Sequence, residues 1–237
     1  MTEDSVRVDA AAARGWVLIV VGCLVAANVL EHRLLPGAPA VASATLVLAM
    51  IAVAWASGLT LAELGLARGT WVRGLRWAAV PAAAVVLVCA LVLVVPALED
   101  RVAPAAGSWP EVAVRVLVVL PLLTVIPEEL AFRGVTWALL RRAGGTRVAT
   151  VGSSVLFGLW HVLVALGGGP ANETAAGALG DGAAGVAVRV AGTVLVTFLA
   201  GLLLCALRAG SGSLLAPIGA HWAVNGAGIV LVHLVPA

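Results

Sequence analysis

Residues 111–140 read EVAVRVLVVLPLLTVIPEELAFRGVTWALL. A helix needs about 20 apolar residues to cross the ~30 Å hydrocarbon layer of a bilayer. This stretch has the length and the apolar character, yet its second half carries Glu128, Glu129 and Arg133. An ionisable side chain inside a span costs about 2.5–3.5 kcal/mol on insertion scales, so it needs a partner or a task. The stretch therefore reads as a membrane helix built around buried charge. Pro121 and Pro127 are expected to kink it, because proline removes a backbone donor and crowds the preceding turn.

The rest of the chain agrees. Of 237 residues, 62% are apolar and only 11% charged, against roughly 45–50% and 25% in soluble domains. No polar run is long enough for a soluble domain. The formal net charge of +2 is too small to neutralise many phosphates, which argues against nucleic-acid binding. Cys23, Cys89 and Cys205 lie in separate apolar stretches, as small core residues rather than a disulfide framework. All 14 basic residues are arginine. With abundant Ala, Val and Gly, that usage suggests a GC-rich, bacterial gene and hence a plasma-membrane protein.

Seven spans are expected, at about 15–31, 40–58, 75–98, 111–140, 148–166, 183–207 and 213–235. The fold class is all-α: a polytopic helix bundle around a buried polar cavity. Residues 1–14 form a short tail, 15–110 the N-terminal membrane helices and 111–237 the C-terminal membrane core. No small-x-small cleavage site follows the first apolar run, so it reads as a retained span. Arginines set the orientation. Nine fall in the tail and alternate loops, two (Arg33 and Arg101) on the other side, and three within spans. That asymmetry puts the N-terminus in the cytoplasm. Trp16, Trp55, Trp77, Trp109 and Trp137 fall near span ends, as interfacial anchors do. Thr60 and Glu63 have capping-box spacing and predict a short amphipathic helix between spans two and three. Pro170 lies in a glycine-rich outer loop. There Asn172-Glu173-Thr174 matches a glycosylation sequon by chance.

Polar residues within spans form a short set: Glu128, Glu129 and Arg133 in span four, His161 in span five, His221 and Asn225 in span seven. Glu129 and Arg133 are spaced i,i+4, as are Phe157 and His161, and His221 and Asn225. Such pairs share a helix face. At 1.5 Å per residue, Glu128, His161 and Asn225 each lie about 18–20 Å from the arginine-rich end of their span, and His221 about 12 Å. Carboxylate, imidazoles and amide thus reach one layer from helices of opposite direction. A carboxylate beside an imidazole can take a proton from water, and a second imidazole with an amide can steady an oxyanion. Arg133 would hold Glu129, leaving Glu128 free. Two histidines and a glutamate, here Glu128, His161 and His221, could instead hold zinc with one position open for water. Both point to a hydrolase inside the membrane. A non-catalytic peptide-binding, immunity or transport protein is the alternative, and a lipid hydrolase a third reading that lacks phosphate-binding groups.

Glu128-Glu129-Leu130-Ala131-Phe132-Arg133-Gly134, Phe157-Gly158-Leu159-Trp160-His161 and His221-Trp222-Ala223-Val224-Asn225 read EExxFRG, FxxxH and HxxxN. In that order they resemble the CAAX protease and bacteriocin-processing (CPBP) family, over about residues 111–230. The resemblance implies helices enclosing a hydrophilic cavity that opens to the cytoplasm, and endopeptidase activity on peptides or protein C-terminal tails. It implies Glu128 as the water-activating carboxylate with His161, His221 and Asn225 as oxyanion stabilisers, and Glu129, Arg133 and Phe157 in support. The family has been described as glutamate-dependent and as metal-dependent, and its bacterial members are linked to bacteriocin self-immunity.

Overall fold

The computed structural model describes residues 3–99, 102, 107–167, 177, 179–180 and 182–235, with backbone only for residues 3–9. Arg101, Pro170 and the Asn172-Glu173-Thr174 triplet lie outside the described residues, as does the side chain of Arg7.

Among the described residues there are helices and turns but no strand. We label them α1 (Glu3–Val29), α2 (Pro39–Ala56), α3 (Trp71–Val94), α4 (residues 109–144), α5 (residues 146–166), α6 (Ala183–Ser211) and α7 (Leu215–Leu234). A π-wound turn, Leu30–Leu34, prolongs α1. Residues 3–14, expected as a tail, continue the α1 helix. Six helices are long and apolar enough to cross a membrane. One of them, Trp109–Leu166, runs for 58 residues, about 87 Å if straight, far beyond one bilayer. It breaks at Gly145, whose φ of 81° and ψ of −178° are not helical. Glycine accepts this conformation because it has no Cβ to clash. The chain then doubles back: Ser153 Oγ donates to the Phe132 carbonyl at 2.8 Å. So α4 and α5 form an antiparallel hairpin, and the six helices divide into the seven helical segments expected.

Interhelix contacts sort the ends into two faces. On one, Arg142 of the hairpin tip grips the α2–α3 loop. Its Nε and Nη2 donate to the Glu63 carboxylate at 2.7 and 2.8 Å, and Nη1 and Nη2 to the Ser57 and Gly58 carbonyls at 2.9 Å each. Arg208, ending α6, donates to the Glu63 carbonyl at 2.6 Å, and Leu214 N to that of Gly65 at 2.8 Å. On the other face, Asn28 Nδ2 donates to the Trp160 carbonyl at 2.9 Å and Arg189 Nε to that of Ala165 at 3.1 Å. There too the Trp109 and His233 rings stack edge-on at 4.5 Å.

Two expectations change. The amphipathic helix at residues 59–66 is a single turn. The capping box forms, with Thr60 N on Glu63 Oε2 at 2.9 Å and Glu63 N on Thr60 Oγ1 at 3.2 Å. Gly65 then leaves the helix at φ 75°, and its flank is filled by the Arg208 guanidinium. Trp137 is no lipid-interface anchor. It is 2% exposed and stacks with Arg208 and Arg141, whose Cζ atoms lie 4.8 and 5.4 Å from its ring.

Lipid tails are as apolar as leucine, so membrane helices gain little by hiding apolar side chains from them; close packing and polar contacts hold a bundle. The outer surface is accordingly apolar, with Leu48, Val80 and Val94 largely exposed. Helices α5 and α6 meet at small residues. A Cβ on Gly158 would lie 2.9 Å from the Val194 carbonyl, and one on Gly201 3.0 Å from the Ser154 Cα. The main core joins Val20, Leu24, Met50, Phe132, Leu139 and Phe157, side chains of α1, α2, α4 and α5. Cys205 is buried and Cys23 and Cys89 are half-buried, all three as free thiols.

Candidate active site

Glu128 and Glu129 end the α-helical turn Ile126–Glu129, which lies between two π-wound stretches, Pro121–Val125 and Leu130–Thr136. Wider π turns recur at functional sites because they re-aim side chains. Prolines contribute directly. Pro127 has no N–H for the Leu123 carbonyl one turn back, and Ser43 Oγ of α2 donates to that oxygen instead, at 2.6 Å. Both prolines stay within helical backbone, widened rather than broken. On α5 the helix is interrupted at His161, with φ −84° and ψ 1°. This sparsely populated region often holds active-site residues.

The side chains converge. Arg133 Nη1 pairs with Glu129 Oε1 at 2.9 Å, both side chains fully buried. His221 Nδ1 reaches the same oxygen at 2.8 Å. Its Nε2 faces Glu128 Oε2 at 3.9 Å, beyond a direct hydrogen bond. Trp160 Nε1 donates to Glu128 Oε1 at 3.2 Å. Among the described residues Glu128 Oε2 has no hydrogen-bond partner. Phe157 is the centrepiece. Arg133 Cζ sits 4.0 Å over its ring, and the His161 and His221 rings meet it edge-on at 4.7 and 6.0 Å. Glu128 and His161 line one cavity of about 280 Å³.

A carbonyl only accepts, so the 2.8 Å contact of His161 Nδ1 with the Phe157 carbonyl makes Nδ1 the donor. His161 therefore presents Nε2 to the cavity. Asn225 lies one turn beyond His221 on α7 and is half-buried, with no side-chain hydrogen bond among the described residues. Sequence reasoning missed three polar contributors: Glu31 and His32, which line the same cavity, and Asn28, which is buried and holds α1 to α5. Glu31 and His32 fall at the expected end of span one, where polar residues are ordinary. The π turn at Leu30–Leu34 carries the helix on and brings them inward. Trp160 precedes His161 within the FxxxH stretch, and no local spacing marks it as a partner of Glu128.

The donor set for a metal was Glu128, His161 and His221. Among the described residues, no three metal-ligating side chains are placed to hold one ion. His161 and His221 each use Nδ1 on another partner, the Phe157 carbonyl and the Glu129 carboxylate, which leaves Nε2 as the nitrogen able to ligate.

A buried carboxylate with a free oxygen, imidazoles fixed at one nitrogen, and an ion pair behind them thus gather inside a polytopic helix bundle. Residues 110–227 match the family model described as type II CAAX prenyl endopeptidase Rce1-like. Through that C-terminal half the chain belongs to the Rce1-like family, whose members are CAAX-type endopeptidases acting within the membrane. Searches of curated proteins and of solved structures return no match.

Proposed function

We propose that the protein hydrolyses peptide bonds with a water activated by Glu128. One observation carries this: Glu128 is nine-tenths buried, one oxygen is held by Trp160, and the other is unpartnered beside His221 and the cavity. Glu128 takes a proton from water positioned with His161 Nε2. The hydroxide adds to the scissile carbonyl carbon. His221 donates to the resulting oxyanion from Nε2, with Asn225 one turn along the same helix. To donate there while Nδ1 bonds Glu129, His221 carries two protons, and Glu129 at 2.8 Å balances the charge. Arg133 in turn fixes Glu129, and Phe157 keeps both imidazole rings in place. Electrostatic stabilisation from donors fixed in a dry site is usually the largest single contribution to catalysis.

The substrate class is a peptide or protein tail, and the arginine asymmetry supports an N-terminus in the cytoplasm of a bacterial plasma membrane. The resemblance implies action at the cytoplasmic side. One observation favours the outer side: Glu31, His32, Ser43 and Val164, which line the cavity, lie near the helix ends opposite the arginine-rich face. Peptide supplied to one side of oriented vesicles separates the two. A non-catalytic role in immunity is the rival to hydrolysis. Purified protein should cleave peptides in the presence of a chelator, and Glu128→Ala should not, while inserting normally. Full cleavage by that variant sinks the proposal.

A further inference from the structure

The proposed chemistry ends on a proton transfer. When the C–N bond breaks, the leaving nitrogen must be protonated, because an amide anion does not depart in water. Glu128 can return the proton it took from water, but it is not the sole acid–base group at hand. The cavity offers one more acid–base pair, Glu31 and His32, and both lie outside the family match.

His32 is built as His161 is. Its Nδ1 contacts the Asn28 carbonyl one turn back, at 3.0 Å. A carbonyl accepts, so Nδ1 is the donor and Nε2 is left for the cavity. Asn28 is itself anchored: its Nδ2 donates to the Trp160 carbonyl at 2.9 Å, and Trp160 Nε1 donates to Glu128 at 3.2 Å. Asn28 thus locks the α1 end to the residue that orients the base. Asn28 is 7% exposed, and such a buried amide is costly unless its hydrogen bonds are made. His32 is therefore tied to Glu128 through three successive contacts. The titratable groups facing His32 in the cavity are Glu31, Glu128 and His161.

We infer that His32 is a further catalytic residue, the acid that protonates the leaving amine. This rests on the hydrolytic role proposed for the cavity. Glu128 removes a proton from water, and hydroxide oxygen bonds to the carbonyl carbon. As the tetrahedral intermediate collapses, the C–N bond breaks, its electron pair stays on nitrogen, and His32 Nε2–H supplies the proton. The products are a carboxylic acid and an amine. Glu128 is left protonated and His32 neutral, so the proton taken from water passes to His32 and the cycle closes. The acid therefore acts from the form of His32 protonated at both ring nitrogens.

The test compares a peptide with its thioester analogue of the same sequence. A thiol has an ordinary pKa near 8.5 and leaves as its anion, so it needs no proton donor. General acid–base groups contribute about 10²–10⁴-fold. His32→Gln should lower peptide cleavage by about 10²-fold or more and thioester cleavage by less than about fivefold. His32→Asn, which keeps an N–H near the Nδ1 position, should behave alike. Equal loss on both substrates, in both variants, overturns the assignment, as does unchanged peptide cleavage. Glu128→Ala should abolish cleavage of both. If it does not, the hydrolytic role of the cavity fails, whatever His32 does.

Discussion

The pair behind the site makes a sharp stability prediction. Arg133 and Glu129 are fully buried and 2.9 Å apart. Removing one partner of a buried ion pair costs about 3–5 kcal/mol, because the other charge is left without compensation in a low-dielectric interior. Arg133→Met leaves Glu129 with His221 alone, and Glu129→Gln strands Arg133 and removes the counter-charge of His221. Arg133→Met also forfeits the guanidinium contact 4.0 Å over the Phe157 ring, worth about 2 kcal/mol when desolvated, although methionine sulfur recovers part of it. Each single variant should thus lose about 3–5 kcal/mol. In the double variant neither member of the pair is stranded, and His221 returns to a single proton once Glu129 is neutral. Its cost should fall to about 2 kcal/mol, mostly the lost ring contact, with a coupling energy of about 4 kcal/mol or more in the cycle. Equilibrium unfolding of the four proteins in one detergent, followed by helical circular dichroism, reads these values. A double variant as unstable as the sum of the singles would refute the view that Arg133 and Glu129 compensate one another. It would leave the two charges acting independently, with His221 held by something else.

Three further outcomes follow from particular contacts. The Arg142 guanidinium holds the Glu63 carboxyl down from 4.5 to about 2. The lowered value means that the pair stabilises fully above the ordinary carboxylate range and is lost as pH falls toward 2. Arg142→Ala should cost about 1–2 kcal/mol at pH 7, given a bidentate but partly exposed pair, and its melting-point deficit should shrink by pH 3. A deficit independent of pH contradicts the pairing. Gly145→Ala meets no neighbour within 4 Å, but φ is 81°. Backbone strain alone should therefore cost about 1–2 kcal/mol in thermal unfolding, and an unchanged melting point would show that the hairpin tip adapts. Trp160→Phe keeps the edge-on contact with Phe132 and removes the donor to Glu128. It should lower kcat about tenfold, or about 1.4 kcal/mol, with KM little changed. An effect on KM alone would assign Trp160 to substrate binding.

Membrane class and crossing number were legible because hydropathy and arginine placement act over whole spans. The break at Gly145 needs only a glycine pair, Gly144-Gly145, after an arginine pair, and the expected span edges fell on either side of it. The cluster of Glu128, Glu129, Arg133, His161 and His221 was legible because buried charge is rare enough in a span to stand out. Its internal pairing was only half visible. The i,i+4 spacing gave Arg133 with Glu129, but no local spacing predicts that His221, 92 residues away, bonds Glu129 rather than Glu128. Glu31 and His32 were hidden because a charged residue at a span end is ordinary. Only the π turn at Leu30–Leu34 turns them inward. The helix expected from Thr60 and Glu63 failed because capping starts a helix but cannot extend it past Gly65, where the backbone turns left-handed.

The central claim is that Glu128 activates water for peptide hydrolysis within the membrane. Single-turnover cleavage of a defined peptide in ¹⁸O-labelled water, by the wild-type protein and by Glu128→Gln in lipid nanodiscs, tests it most directly. One labelled oxygen should enter the new carboxylate with the wild-type protein, and the variant's rate should fall about 10³-fold, within the range seen when general acid–base groups are removed. Cleavage by Glu128→Gln at the wild-type rate, with label still incorporated, contradicts the account.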